Sequence, residues 1–338
     1  MNGIALEAET MGLRRFIKCG WEMRSLPFKR RWGEWLQLAF MAVLVLIMII
    51  TPGFFTWDNL IRIVNQVSLI AILSCGITLL MSSGNFDLSV GSAVAVSNMT
   101  CALILQKTSN VILALTGAVL SGLVTGAVNG LFVGCLSLPS FFVTLGTQVS
   151  FRGIAYVIGG GASIYGIRKM NFISQGTFFK LPINIVILII TAFTIQFLLL
   201  NTLFGRYLLA IGHSRTTAKN IGISVRKNVF ISYLLIGFLV GIVGVLFTAR
   251  TNCGQPSAAS SYEYDTIIAS ILGGVSLTGG KGFIIGAVFG AVLWGLLENL
   301  MNYIGILYFY QRVIKGLIIL FVLLKDQDIQ RGLSQWKK

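Results

Sequence analysis

Apolar runs close to twenty residues long, separated by short polar breaks, occupy almost the whole chain. Run length read against glycine, proline and charged breakers gives candidate spans near 36–51, 60–81, 88–106, 111–136, 141–158 and 181–203. Four more follow, near 229–249, 264–279, 283–300 and 306–324. A helix needs ~20 apolar residues to cross the hydrocarbon core, so the pattern predicts an all-α integral membrane protein with about ten transmembrane helices. The run 264–279 is short and polar, as a broken or re-entrant helix would be. The predicted layout is an N-terminal cytoplasmic tail (1–35), one polytopic membrane domain (36–325) and a C-terminal cytoplasmic tail (326–338).

Composition agrees: 55% of residues are hydrophobic, 11% are charged and the mean hydropathy is +0.84. The net charge of +15 points to topology rather than to nucleic acid, because it gathers outside the runs. Arg14, Arg15, Lys18, Arg24, Lys29, Arg30 and Arg31 precede the first run, mixed with Glu7, Glu9 and Glu22. That run has the charge order of a signal peptide, but no small-residue cleavage site follows, and it reads as a retained anchor. Five cysteines are scattered without metal or redox spacing, so no metal site is expected. The stretch Gly274–Gly282 fails the phosphate-loop pattern, since Gly279 is followed by Gly280 and Lys281 by Gly282. If ATP drives this protein, the ATPase is another chain, and no cofactor is expected in this one. A membrane enzyme would need a convergent nucleophile, metal cluster or acid/base pair, and none is visible.

Between the sixth and seventh runs lies the acid-free loop Gly205–Lys227, with Arg206, Arg215, Lys219, Arg226 and Lys227. Such a loop marks the cytoplasmic face, and six spans before it with four after put both termini on that same face. Lys325, Arg331, Lys337 and Lys338 fit this count, whereas Arg168, Lys169 and Lys180 fall in an outer loop against the bias. Within the central loop Ser214 can cap a helix running to Ile221, with Gly222 as its stop. Ser214, Thr217, Ala218 and Ile221 share one face of that helix, and Arg215 and Lys219 share another. A ridge of small residues beside positive charge suits a groove on a soluble partner; a solvated connector is the plainer alternative. His213, the only histidine, is expected to be an exposed loop residue.

The segments 60–158 and 229–324 each hold four runs and enter the membrane from opposite sides, the arrangement of an inverted repeat. Each contains a Gly-Ser-rich break, Gly84–Ser92 and Gly273–Gly282, and the two breaks read as placed alike. Gly122, Gly126, Gly130 and Gly134 line one helix face, as do Gly282, Gly286 and Gly290, for close packing or for a sliding gate. Ionisable groups within the apolar body are Asp87, Arg152, Glu263, Asp265, Glu298, Arg312 and Lys315. Most lie near predicted ends, where snorkelling to water accounts for them, while Asp87 and Arg152 are expected to be buried. Asn65, Gln66, Ser68, Ser89, Asn98, Thr144, Thr147 and Gln148 are polar positions that either line a pathway for a neutral hydroxylated solute or bond helix to helix.

Five ordered motifs carry a family resemblance: GNFDLSVGS (Gly84–Ser92), LPSFFVTLGT followed by Arg152-Gly153, GRYLLAIGHSRTTAKNIGI (Gly205–Ile223), YEYDTIIASILGGVSLTGGKG (Tyr262–Gly282) and FYQRVIKGL (Phe309–Leu317). Through them the chain resembles, from Asn59 to Lys325, the permease subunits of ATP-binding-cassette importers for ribose and related sugars, within the larger family that includes branched-chain amino acid permeases. The resemblance implies a bacterial inner-membrane protein working by alternating access. Its implied partners are a second permease subunit, identical or homologous, a dimer of cytosolic ATPases that carry ATP-Mg, and a periplasmic sugar-binding protein. The central loop then resembles the coupling helix, and Gly212, Ala218, Gly222 and Ile223 match its small-residue pattern. Departures are Asn85-Phe86 where the family usually has Gly-Ile, His213-Ser214 where Gly-Asn is common, and Lys281 where arginine is frequent. A stand-alone secondary carrier is the rival reading, since inverted halves suit it equally.

Overall fold

The computed structural model describes residues 56–174, 176–178 and 181–325. The predicted span 36–51, both tails and Lys180 lie outside them. The described chain is helical: α1 (Trp57–Met81), α2 (Val90–Thr108), α3 (Val111–Gly130) continued by a π-helical turn (Leu131–Cys135), α4 (Ser140–Ile158), α5 (Ile183–Asn201), α6 (Leu203–His213), α7 (Arg215–Asn220), α8 (Val225–Thr251), α9 (Tyr262–Leu272), α10 (Ile284–Tyr303) and α11 (Tyr308–Lys325). Polar side chains set several starts: the Thr56 hydroxyl accepts from the Asn59 amide at 3.4 Å, and Asn110 Oδ1 accepts from the Leu113 amide at 3.2 Å. The loop after α4 holds a two-residue antiparallel pair, Thr177–Phe178 with Leu181–Pro182, and a bridge joining Ile164 to Gly254. These are the only strands among the described residues.

Among the described residues, six helices are long and apolar enough to cross a membrane: α1, α3 with its π turn, α4, α5, α8 and α10. α9 is not. Its 11 residues rise roughly 16 Å, about half of the ~30 Å hydrocarbon core. The predicted span 264–279 is therefore a half-helix followed by an irregular stretch, because Gly273, Gly274, Gly279 and Gly280 break the helix in quick succession; three of them have positive φ.

α1 is the central element, with Leu69 to Met81 wholly buried against α5, α8, α9 and α10. α4, α5 and α11 instead turn Phe141, Phe142, Val149, Phe193, Val313 and Leu317 outward, an apolar exterior that suits lipid or another apolar surface. The packing repeats: α3 lies along α8 as α10 lies along α1, and α2 contacts α8 as α9 contacts α1.

The glycine stripes are helix contacts. A Cβ on Gly122 would sit 2.4 Å from the Gly237 carbonyl oxygen, and one on Gly126 would sit 2.4 Å from that of Tyr233. On the other stripe, Gly286 meets the Gly273 carbonyl and Gly290 the Ala269 carbonyl, each closer than a side chain permits. Without a hydrophobic drive between helices in lipid, such backbone approach supplies the association. Gly126→Val and Gly237→Val are expected to abolish recovery of monodisperse protein from membranes. Gly146→Ala should not, since nothing lies within 4 Å of a Cβ there; size-exclusion profiles of the three variants compare them directly.

Candidate functional site

The central loop folds largely as its residues dictate. Ser214 caps α7, its hydroxyl accepting from the Thr217 amide at 3.2 Å. At the other end the Gly222 amide reaches Lys219 O at 3.1 Å and the Ile223 amide reaches Ala218 O at 3.0 Å, with Gly222 at φ +85°. The single ridge expected along α7 is split, however. Ala218 is 1% exposed and turned into the protein, while Thr217, Lys219 and Ile221 face outward. Four-residue spacing places residues on one side of a helix, but a six-residue helix lying on α6 and the start of α8 must bury part of that side. His213 is exposed as expected, but it ends α6 rather than lying in a loop, because Leu203–His213 is helical.

The same loop is locked to two other motifs. A Cβ on Gly212 would lie 2.1 Å from Ser82 O and 2.4 Å from Gly280 N, and the Gly280 amide donates to Ser82 O at 2.9 Å. A Cβ on Gly279, at φ +91°, would lie 2.8 Å from Gly84 N and 3.0 Å from Gly212 Cα. Arg215 donates to Asn85 Oδ1. The breaks at Gly84–Ser92 and Gly273–Gly282 are thus neighbours at one end of the bundle, rather than equivalents at matching places in two halves. By the packing repeat, the counterpart of the first break is Asn252–Ser261, the link between α8 and α9. Lys169 donates to Ser109 O at 3.3 Å, where α2 ends, which puts it at the end remote from the central loop.

Most of the polar candidates are spent on internal bonds. Asp87 Oδ1 accepts from the Ser89 amide (2.8 Å) and hydroxyl (2.6 Å), and Asn129 Nδ2 donates to Ser89 Oγ at 2.7 Å and to Asp87 at 3.3 Å. Thr147 donates to Asn129 Oδ1 at 2.8 Å, which joins α4 to this network. Asn98 bonds Thr248, the Cys253 carbonyl and the Gln255 amide, and Asn184 donates to Asn65 Oδ1. Thr144 bonds its own helix at Ser140 O, and Ser68 does so at Asn65 O. Gln148 donates to Glu263 Oε1 at 3.0 Å, and Arg152 to the Pro256 and Ala258 carbonyls at 2.9 and 2.7 Å. Gln66 is exposed, and only its carbonyl is engaged, by Arg250 at 3.4 Å.

Snorkelling does not account for the acids and lysine of the second half. Lys315 on α11 bonds Asp265 Oδ1 at 2.8 Å and forms an ion pair with Glu298 Oε1, while Trp294 Nε1 donates to Asp265 Oδ1 at 3.0 Å. The ammonium also stands 5.5 Å from the centre of the Trp294 ring. Three helices contribute, so no local spacing reveals the cluster. One signal was present: Trp294 and Glu298 are four apart on α10, hence on one face.

Comparison with known proteins places this architecture. Residues 59–323 match the family model for the branched-chain amino acid transport system / permease component. The chain belongs to this family. Among similar proteins, the ribose import permease protein RbsC of Escherichia coli (strain K12) is 33% identical over 333 residues, 96% of this chain and 100% of that protein. The L-arabinose transport system permease protein AraH of the same strain is 35% identical over 311 residues (91% and 94%), and its D-allose transport system permease protein AlsC is 31% identical over 315 (92% and 96%). No solved structure matches the chain. This family member therefore carries a capped surface helix, a glycine knot behind it and a buried ion cluster.

Lys315→Met would leave Asp265 and Glu298 buried without a counter-charge, at a cost of about 3–5 kcal/mol. We expect membrane yield to collapse in that variant and to recover when Asp265→Asn and Glu298→Gln are added. Normal yield of Lys315→Met alone, measured by fluorescence-detected gel filtration, would remove the cluster's structural role.

Proposed function

We propose that this permease is the membrane-spanning subunit of an ATP-binding-cassette importer that carries a monosaccharide or related polyol inward from the periplasm by alternating access. Its relatives are a ribose, an L-arabinose and a D-allose permease, which supports a neutral, heavily hydroxylated solute. Energy comes from a cytosolic ATPase dimer that binds ATP-Mg, and ligand arrives on a periplasmic sugar-binding protein. A second permease subunit, identical or homologous, completes the membrane unit. The chain sits in a bacterial inner membrane with about ten spans, those of 60–158 and 229–324 forming inverted halves, and with both termini cytoplasmic.

The observation that carries this reading is α7: a short helix closed at both ends, showing Thr217, Lys219 and Ile221 outward, and fastened from behind through Gly212, Ala218 and Arg215. Gly212, in α6 two residues before the Ser214 cap, meets Ser82 and Gly280 backbone to backbone, so a push passed from α7 into the end of α6 reaches the end of α1 and the link before α10. Gly222 and Ile223 close the helix, and Ser214 opens it. For the solute path, Gln66 is the best placed of the polar candidates. Asn65, Asp87, Ser89, Asn98, Thr144, Thr147, Gln148 and Arg152 hold the helices that shape the path.

Liposomes containing the permease alone are expected to take up no labelled sugar, and to gain uptake only when the ATPase and binding protein are added with ATP. Uptake by the permease alone would overturn the assignment. Ile221 is 58% exposed, so Ile221→Asp should leave folding intact. It should cut uptake and sugar-stimulated ATP hydrolysis by about tenfold or more, because a contact-centre residue typically contributes ~1.4 kcal/mol or above. Wild-type rates in that variant would show that α7 is not the docking element.

A further inference from the structure

A cavity of about 270 Å³ lies beside the ion cluster, walled by α1, α8, α9, α10 and α11. It sits toward the end of the bundle remote from α7: Arg250 and Thr251 end α8, Ser260 and Ser261 precede α9, and Gln311 and Arg312 lie in the first turns of α11. We propose that this cavity is a low-affinity binding site for a neutral polyhydroxylated solute, the first protein-bound station for sugar released at the outer face. The proposal rests on the sugar-import reading and adds a site to it.

The chemistry of the wall selects that ligand class. Asp265 and Glu298 each give one oxygen to Lys315, and their second oxygens, Oδ2 and Oε2, take no hydrogen bond from the described residues. Two neighbouring carboxylate oxygens with spare acceptor capacity suit adjacent hydroxyls, each of which donates one proton. The Gln66 amide and the Ser261 hydroxyl also line the space, and no side-chain bond engages either of them. The Tyr262 ring, packed edge-on against Phe247 at 6.3 Å between centroids, adds an apolar surface for the carbon face of a sugar. Arg250, Arg312 and Lys315 stand against Asp265 and Glu298 in this wall, within one charge of balance, so a neutral ligand meets little net field, while hydroxyls can both donate to the carboxylates and accept from the amide. A transporter must release what it binds, and a few hydrogen bonds of about 1–3 kcal/mol each, offset by the cost of immobilising the ligand, keep the affinity weak.

The test uses the assembled complex in nanodiscs carrying Ser261→Cys, with alkylation of the 261 peptide by a membrane-impermeant maleimide followed by mass spectrometry. D-Ribose, L-arabinose or D-allose in the millimolar range is expected to slow labelling, glycine betaine at equal concentration is not, and Gln66→Leu should shift half-protection to about fivefold higher sugar, one hydrogen bond's worth. Tryptophan emission, with Trp294→Phe as control, gives a second titration that does not depend on the introduced thiol. Absence of a sugar effect in both measurements overturns the proposal, as does equal protection by betaine or protection that survives both Gln66→Leu and Glu298→Gln. ATP-dependent uptake without protection would sink the cavity site alone; protection in a protein whose uptake needs no ATPase would sink the importer reading and leave the site standing.

Discussion

The structure depends on backbone meeting backbone at distances no side chain allows. In lipid, apolar helices gain nothing by hiding from their surroundings, so association must come from close van der Waals contact and from bonds between helices. Gly122 and Gly126 against α8, Gly286 and Gly290 against α9, and Gly212 against Ser82 and Gly280 are all contacts of this kind. Each loses its geometry if one methyl group is added, which explains why glycine stands at these positions.

Polar bonding does the complementary work of choosing which helices meet. Asp87, Ser89, Asn129 and Thr147 tie the link after α1 to α3 and α4, and Asn98 ties α2 to the link after α8. The cluster of Asp265, Glu298, Trp294 and Lys315 does the same for α9, α10 and α11. A polar group left unpaired in hydrocarbon costs enough that each of these side chains finds a particular neighbour, and the helices register accordingly.

How much of this was legible in the sequence follows from range. Helix extents and the closed form of α7 were readable because they rest on local spacing: Ser214 caps three residues ahead, and Gly222 stops the helix where a positive φ is needed. The glycine stripes were readable as close-packing faces for the same reason. The meeting of Gly84, Gly212 and Gly280 was not, since it joins segments more than sixty residues apart, and similarity of composition led to a false equivalence between two breaks that in fact touch. Lys315 and Asp265 are 50 positions apart, and nothing in either neighbourhood names the other. The inward turn of Ala218 escaped because periodicity tells which residues share a side, not which side is covered.

The division of labour within α7 has a consequence for how such machines diversify. The residues that face outward, Thr217, Lys219 and Ile221, are different from those that anchor it, Ala218 and Arg215, with Gly212 at the end of α6 behind them. On the docking role proposed for α7, mutational drift on the outer set can re-match the subunit to another motor while the contacts behind it stay intact. One membrane body is thereby free to exchange engines over evolutionary time without relearning how to move.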